Sequence, residues 1–396
     1  MRPEERPAFF RPTLPGMAVR LPPWVPRVAI VAVGVLGFAW VVAGWTHSNA
    51  IRAEFLTPRQ IQVGYPLTVT ADPAGRVVID RTPQTEREGI WGLESEQAYG
   101  QVSTIVRIDD TTVERGFEPI NGVLRVGDAV RFDTDAFFGD PTVAHGLGFD
   151  GDSRIPSDIG PHPTWLIDGR RPTWIVFVHG RGTDRLSESL RIIPSLVVQG
   201  YPVLSIAYRN DVGATSSESG MRLWGLEEWL DLDAALSLAQ RKGAKDVVII
   251  GSGFGASIVS TFLHESPNIA LVRGVIFDSP VLDLEGVARR WAAESGTPRV
   301  VAWLGRRLAA VRFGMDWDML NQHERTMQFD VPILLMFGAQ DPVTPPSEFV
   351  RFADALPDLV EVERFEQGEH TDLWNIDVER YESTVAQFLF EVVGPE

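Results

Sequence analysis

The sequence predicts an α/β fold: a mostly parallel sheet with helices on both faces, preceded by a small β-rich module and one apolar helix. Three observations predict it. From Thr164 onward, short apolar runs rich in Val, Ile and Phe alternate with longer stretches of helical period, the pattern of strands buried on both faces. Residues 46–163 instead hold brief alternating runs parted by Gly, Asp and Pro, which read as strands and turns. Residues 28–45 carry no charge.

Taken in order, residues 1–27 hold five arginines, two glutamates and a high share of proline, and read as a disordered cytoplasmic tail. At 1.5 Å per residue, the 18 residues 28–45 span about 27 Å, enough for a membrane helix with snorkelling flanks. The upstream arginines place the N-terminus in the cytoplasm and the globular body outside the membrane. A cleaved signal peptide is the competing expectation, because Ser48 and Ala50 form a small-x-small site; the apolar run is long for that role. In the lead-in module of residues 46–163, GRVVID, STIVRID, GVLRV and AVRFDTDAFF read as strands packed on the α/β part.

That α/β part, residues 164–396, opens with TWLIDG and TWIVFV, read as a hairpin entering a core strand. A helix near 183–199, the strand PVLSIAY (202–208) and a helix over 226–241 come next. DVVIIG then leads into a helix over 254–265 and the strand GVIFD (274–278). An arginine-bearing insertion runs over 283–328. PILLMFG (332–338), a helix near 346–356, LVEVERFE (359–366) and a last helix near 378–393 close the chain. The chain has 396 residues and a formal charge of −17, and such an acidic body disfavours nucleic acid as a partner. Cysteine is absent, which excludes disulfides, thiolate zinc sites and a cysteine nucleophile.

Three strand ends carry candidate chemistry. TWIVFV ends in HGRG, a tight turn able to aim a backbone N–H at a developing oxyanion. MFGAQDPVTPP places Asp341 just past the carboxyl end of a core strand, and EQGEHTDLWN places His370 in the loop after the next. An aspartate that fixes an imidazole tautomer and a histidine that moves the proton form the back half of a catalytic triad. The glycine-rich turn GSGFGA is open to two readings. One is a dinucleotide loop, in which Gly251, Gly253 and Ala256 fit G-x-G-x-x-G/A and Asp278 serves the ribose. That reading leaves HGRG, Asp341 and His370 unexplained; without it, Asp278 is a strand-end capping or site-wall residue.

The other reading is a nucleophile elbow. From about residue 165 to 393 the chain resembles the α/β-hydrolase superfamily, in particular membrane-anchored bacterial members of its serine-aminopeptidase and esterase-like branch. The resemblance is carried by WIVFVHGRG, YPVLSIAYRND, EEWLDLDAAL, VIFDSPVLD, GAQDPVTPP and GEHTDLWN. It implies hydrolysis of an ester, thioester or amide, and an oxyanion hole from the backbone N–H groups of Arg181, or the residue after it, and of Phe254; no cofactor or metal is expected. It fails at its centre. The pattern small-x-Ser-x-small falls on Gly251 to Gly255, so the serine seat is Gly253, with Ser252 one residue early. A one-residue shift at this turn aims a side chain elsewhere, so Ser252 is not expected to face His370. Glycine also accepts the strained backbone an elbow imposes.

The leading expectation is therefore a membrane-anchored, catalytically degenerate hydrolase. It binds an acyl or peptide-like ligand or a partner protein of the cell envelope. The competing expectation is a working hydrolase that uses Ser252 or a water activated by His370. Residues 288–312 hold six arginines against one acid, so a basic amphipathic lid lying on anionic headgroups is a further reading.

Overall fold

The computed structural model describes residues 24–58, 64–181 and 186–394. The expected tail up to residue 23 lies outside these. Helix α1 (Trp24–Ile51) runs through a π-helical turn, Arg52–Leu56. Residues 28–45 lie inside α1, and every described residue from Val28 to Val42 is exposed. The side chains at 24–27, 29, 30 and 33 lie outside the description, and among the described residues no helix is long and apolar enough to cross a membrane.

The lead-in module is a closed barrel of six strands, β1 (Leu67–Ala71), β2 (Arg76–Asp80), β3 (Trp91–Glu94), β4 (Tyr99–Ile108), β5 (Thr112–Asn121) and β6 (Ala129–Asp133), in the order β1-β2-β5-β4-β3-β6. Alternation along the strands puts Val69, Ile79, Trp91, Leu93, Val102 and Val130 inside. Closure removes the unpaired edges that a small sheet otherwise exposes. A short helix, α2 (Pro141–His145), is capped at its start by the Asp140 carboxylate.

The second unit is an eight-stranded sheet. Its strands are β7 (Arg154–Ser157), β8 (Gly160–Ile167), β9 (Thr173–Val178), β10 (Val203–Ile206), β11 (Asp246–Ser252), β12 (Val272–Asp278), β13 (Ile333–Gly338) and β14 (Val360–Phe365). Their order is β14-β13-β12-β11-β9-β10-β8-β7, parallel from β14 to β10 and antiparallel from there through β8 to β7. Two sequence expectations are corrected. β8 and β9 do not form a hairpin, because β10 lies between them and takes the antiparallel pairing with β8. The module boundary at 163 also falls too late: β7 and the start of β8 extend the large sheet rather than the barrel.

Helices α4 (Trp229–Arg241), α5 (Phe254–Glu265) and α8 (Pro346–Ala355) cover one face through Leu232, Ala235, Ile258 and Phe349. Helices α3 (Ile193–Val198) and α10 (Val378–Val393) cover the other through Ile193, Leu196, Val385 and Phe388. The insertion forms α6 (Leu284–Glu294) and α7 (Arg299–Phe313), and a single-turn helix, α9 (Leu373–Ile376), comes after the last strand. After β9 the chain proceeds to β10 on one side and to β11 on the other. The carboxyl ends at such a switch point open a crevice, and the turns after β9 and β11 lie there.

Candidate active site

The turn from β11 into α5 places Gly253 at φ 48°, ψ −107°, a region that costs a residue with a side chain roughly 1–3 kcal/mol. The same turn brings α5 against β9 so closely that a Cβ at Gly255 would lie 2.1 Å from the Val178 carbonyl oxygen. Gly255 is required by that contact, whereas Gly253 is favoured by its dihedrals.

Asp341, buried just past β13, is fixed by its own turn: its Oδ1 accepts from the N–H groups of Val343 (2.7 Å) and Thr344 (2.9 Å). Its Oδ2 lies 2.9 Å from His370 Nδ1. A carboxylate can only accept, so Nδ1 donates, and in the neutral ring the lone pair then sits on Nε2. A Cβ built on Gly253 would lie 3.3 Å from that Nε2 and 3.1 Å from Thr371 Cγ2. Asp341, His370 and Gly253 thus converge on one point.

Ser252 does not reach it. Its buried hydroxyl donates to Glu188 Oε1 at 2.5 Å, against the alternative in which it acts as the nucleophile beside His370. The dinucleotide alternative fares no better. The Asp278 carboxylate is buried, accepts from Ser279 Oγ (2.9 Å) and Tyr381 Oη (3.0 Å), and is unavailable to a ribose. Burial pushes its pKa up to about 6, partly offset by the Arg191 guanidinium.

Of the two expected oxyanion donors, Phe254 opens α5, where backbone N–H groups lack intrahelical partners. Its ring packs on Trp224 at 5.0 Å and Tyr208 at 5.7 Å. The Arg181 side chain donates to the Glu54 carbonyl in the π-helical turn after α1, and its guanidinium lies 5.7 Å from the Trp224 ring centre. The loop continuing from it, 182–185, lies outside the described residues. The insertion does not act simply as a cover: α7 packs chiefly along α1, while Arg290 of α6 donates to the Val343 carbonyl beside Asp341.

Sequence reasoning missed a buried polar layer beneath the site. Glu188 accepts from Ser252 Oγ, from the Gly180 N–H (2.6 Å) and from Arg191 Nη2 (3.1 Å). Arg191 Nη1 donates to the Thr371 carbonyl (2.8 Å) and to Asn375 Oδ1 (3.0 Å), holding the histidine loop from below. Ser279 (φ 51°) and Thr371 (φ 60°) both adopt left-handed backbone and are joined by a bond from the Thr371 N–H to Ser279 Oγ (3.0 Å). These residues form no local motif, and chain separations of up to 184 residues hide them.

The barrel grips the same loop from outside. Asn375 Nδ2 donates to the carbonyls of Ile90 (2.8 Å) and Thr134 (2.9 Å), and the Ile90 N–H donates to the Asn375 carbonyl (2.9 Å). Arg87 pairs with Asp372 (2.6 Å), whose other oxygen accepts from the Glu369 N–H (2.8 Å). Buried Arg115 holds this gripping segment by donating to the carbonyls of Thr85, Arg87 and Gly89.

Comparison with known proteins supports the fold. Residues 67–133, from the first residue of β1 to the last of β6, match a domain of unknown function, DUF8805. Among curated proteins none matches the chain. Many solved structures do. An esterase of Pyrococcus furiosus is 20% identical, with 65% of this chain and 96% of that chain covered and a TM-score of 0.51; a second crystal form gives 0.52. A puromycin-hydrolyzing peptidase of Mycobacterium tuberculosis is 18% identical, with a TM-score of 0.53, and the alignment covers 86% of this chain and 55% of the peptidase. The chain has the fold of α/β-hydrolases.

Proposed function

We propose that this protein is an α/β-hydrolase-fold protein disarmed at its nucleophile, which retains its acid–base pair and binds an acyl or peptide-like ligand, or an envelope protein, at the crevice above Gly253. One observation carries the reading. The Asp341–His370 pair presents its basic nitrogen to the elbow position, and that position is a glycine in elbow geometry. A triad without its serine loses about 10⁶ in kcat, leaving what positioning and oxyanion stabilisation supply. The family resemblance of the sequence and the fold shared with esterases and a peptidase support this choice of ligand class.

The protein is further proposed to be held on the cell membrane by α1, with residues 1–27 cytoplasmic and the globular body outside. The support is an apolar surface running round the helix, with Val31, Val35, Leu36 and Phe38 each more than 60% exposed, beside an arginine-rich N-terminal flank. A fluorophosphonate probe tests the disarmed state. The wild-type protein is expected to stay unlabelled, and labelling that disappears in Ser252→Ala overturns the proposal. A second reading, slow hydrolysis by a water held on His370, is favoured by the intact Asp341–His370 bond. It requires a turnover that His370→Ala abolishes.

A further inference from the structure

We infer that the outward face of α7 sits in the interfacial layer of an anionic phospholipid bilayer, alongside α1, so that two helices rather than one set the orientation of the body on the membrane. The inference rests on the reading of α1 as a membrane anchor. It assigns to the insertion a role other than covering the site.

Helix α7 lies along the last turns of α1 with the two chains running in the same direction. A Cβ on Gly44 would meet the Leu304 side chain, and one on Gly305 would meet His47. Further on, Arg312 stacks on Trp45 at 3.4 Å and donates to Asn49 Oδ1 (2.9 Å), and the Arg52 guanidinium lies over Phe313 at 5.7 Å. Apart from Trp45, which the long Arg312 side chain reaches back to cover, partner numbers rise together, from Gly44 and Leu304 through His47 and Gly305 and Asn49 and Arg312 to Arg52 and Phe313. The N-terminal end of α7 therefore points toward the exposed apolar length of α1, not away from it.

The surface α7 leaves open has the composition of an interfacial face. Ala302, Gly305, Arg306, Ala309 and Phe313 are buried against the body and α1. On the opposite side Val300 (55% exposed), Trp303 (53%), Arg307 and Val311 (86%) fall at i, i+3, i+7 and i+11, one stripe along the helix. Trp303 lies one residue from Leu304, which abuts Gly44, so it is near the level of Trp40 and Trp45, both also exposed. Tryptophans at one depth on adjacent helices mark the headgroup boundary. Charge agrees. Helix α7 contains four arginines and no acid. Arg306 is paired with Glu285, whereas exposed Arg299 and Arg307 have no ion-pair partner among the described residues. On a chain of net charge −17, an arginine-only helix with an apolar stripe is complementary to anionic headgroups.

The test uses the full chain, which has no cysteine to remove. Leu36→Cys on α1, Trp303→Cys on α7 and Val126→Cys on the barrel are each labelled with an environment-sensitive fluorophore. The proteins are reconstituted in phosphatidylcholine/phosphatidylglycerol vesicles, and Val300→Cys repeats the measurement should Trp303→Cys fold poorly. The expected result is a blue-shifted emission, quenched by nitroxide-bearing lipid, at positions 36 and 303, with position 126 quenched only by aqueous iodide. Lipid quenching at 36 with iodide quenching at 303 overturns the role of α7 and leaves the anchor standing. Iodide quenching at 36 overturns the anchor and the inference with it. Protection of 303 from both quenchers marks a protein neighbour, such as a second copy, and also overturns it.

Discussion

Replacing Gly253 by serine tests the convergence of the site directly. The new Cβ lies 3.3 Å from His370 Nε2, so a hydroxyl one bond further out can come within the 2.6–3.2 Å reach of a nucleophile–base hydrogen bond. The substitution has two costs. A side chain at φ 48°, ψ −107° carries roughly 1–3 kcal/mol of backbone strain, and Thr371 Cγ2, at 3.1 Å, must give way by a few tenths of an ångström. For a domain of this size each kcal/mol lowers Tm by about 2–4 °C, so Gly253→Ser is expected to melt roughly 2–12 °C below wild type. Its gain is read by fluorophosphonate labelling and p-nitrophenyl butyrate turnover. Serine and histidine together account for about 10⁶ in kcat in a triad enzyme, and a rise of at least about 10³-fold over wild type is expected. His370→Ala in the same background should abolish it. The reasoning is refuted if Gly253→Ser folds with Tm in that range yet stays at background even when Thr371→Ala removes the crowding methyl.

Ser252→Ala removes one partner of the buried Glu188 carboxylate. It is expected to cost about 1–3 kcal/mol in urea unfolding and to leave labelling of Gly253→Ser intact. Asn375→Ala deletes the donor that ties the histidine loop to the carbonyls of Ile90 and Thr134. Amide exchange over 367–376 should accelerate by at least tenfold, equivalent to about 1.4 kcal/mol, and unchanged exchange would show that the barrel does not hold the loop. Asp278 has its folded pKa raised to about 6 by burial, so the native state binds its proton more tightly than the unfolded chain. Stability from this group is present below the usual carboxylate range near 4 and lost as pH rises through 6, on the order of 3 kcal/mol in all. His264, lowered to about 4 mainly by burial, works in the opposite direction, favouring the fold as pH rises from 4 toward 6.5. The difference in unfolding free energy between wild type and Asp278→Asn isolates the first effect. A difference that does not change between pH 4 and 6 contradicts it.

How much was legible in the sequence depends on the range over which each cause acts. Strands β9, β11, β12 and β13 are buried on both faces, so their apolar runs mark them without reference to any partner. α5 and α10 appear at their predicted places, one after a glycine turn, the other behind Asp377, whose side chain caps it. Asp341 and His370 were recognisable because each sits a few residues past a strand end, where the fold collects chemistry. The β8–β9 hairpin failed for the opposite reason. A short link between two strands does not say whether a third inserts between them, and β10 does so through pairings invisible in the link itself.

The same distinction explains the site. The glycine turn was readable because backbone geometry is local: Gly253 and Gly255 can be argued from one turn. Glu188, Arg191 and Asn375 could not be, because their significance lies in what they join. They form a continuous path from Ser252 under the elbow, through the histidine loop, to the barrel carbonyls of Ile90 and Thr134. The links from Ser252 to Asn375 are buried polar contacts, and breaking one of these leaves its partner desolvated at about 1–3 kcal/mol; the links on to Ile90 and Thr134 are partly exposed. The path makes no use of a serine at 253. On the proposed reading, a site held in register by contacts independent of residue 253 can lose its nucleophile and keep its shape, and the Asp341–His370 bond beside Gly253 is the arrangement such a loss would leave.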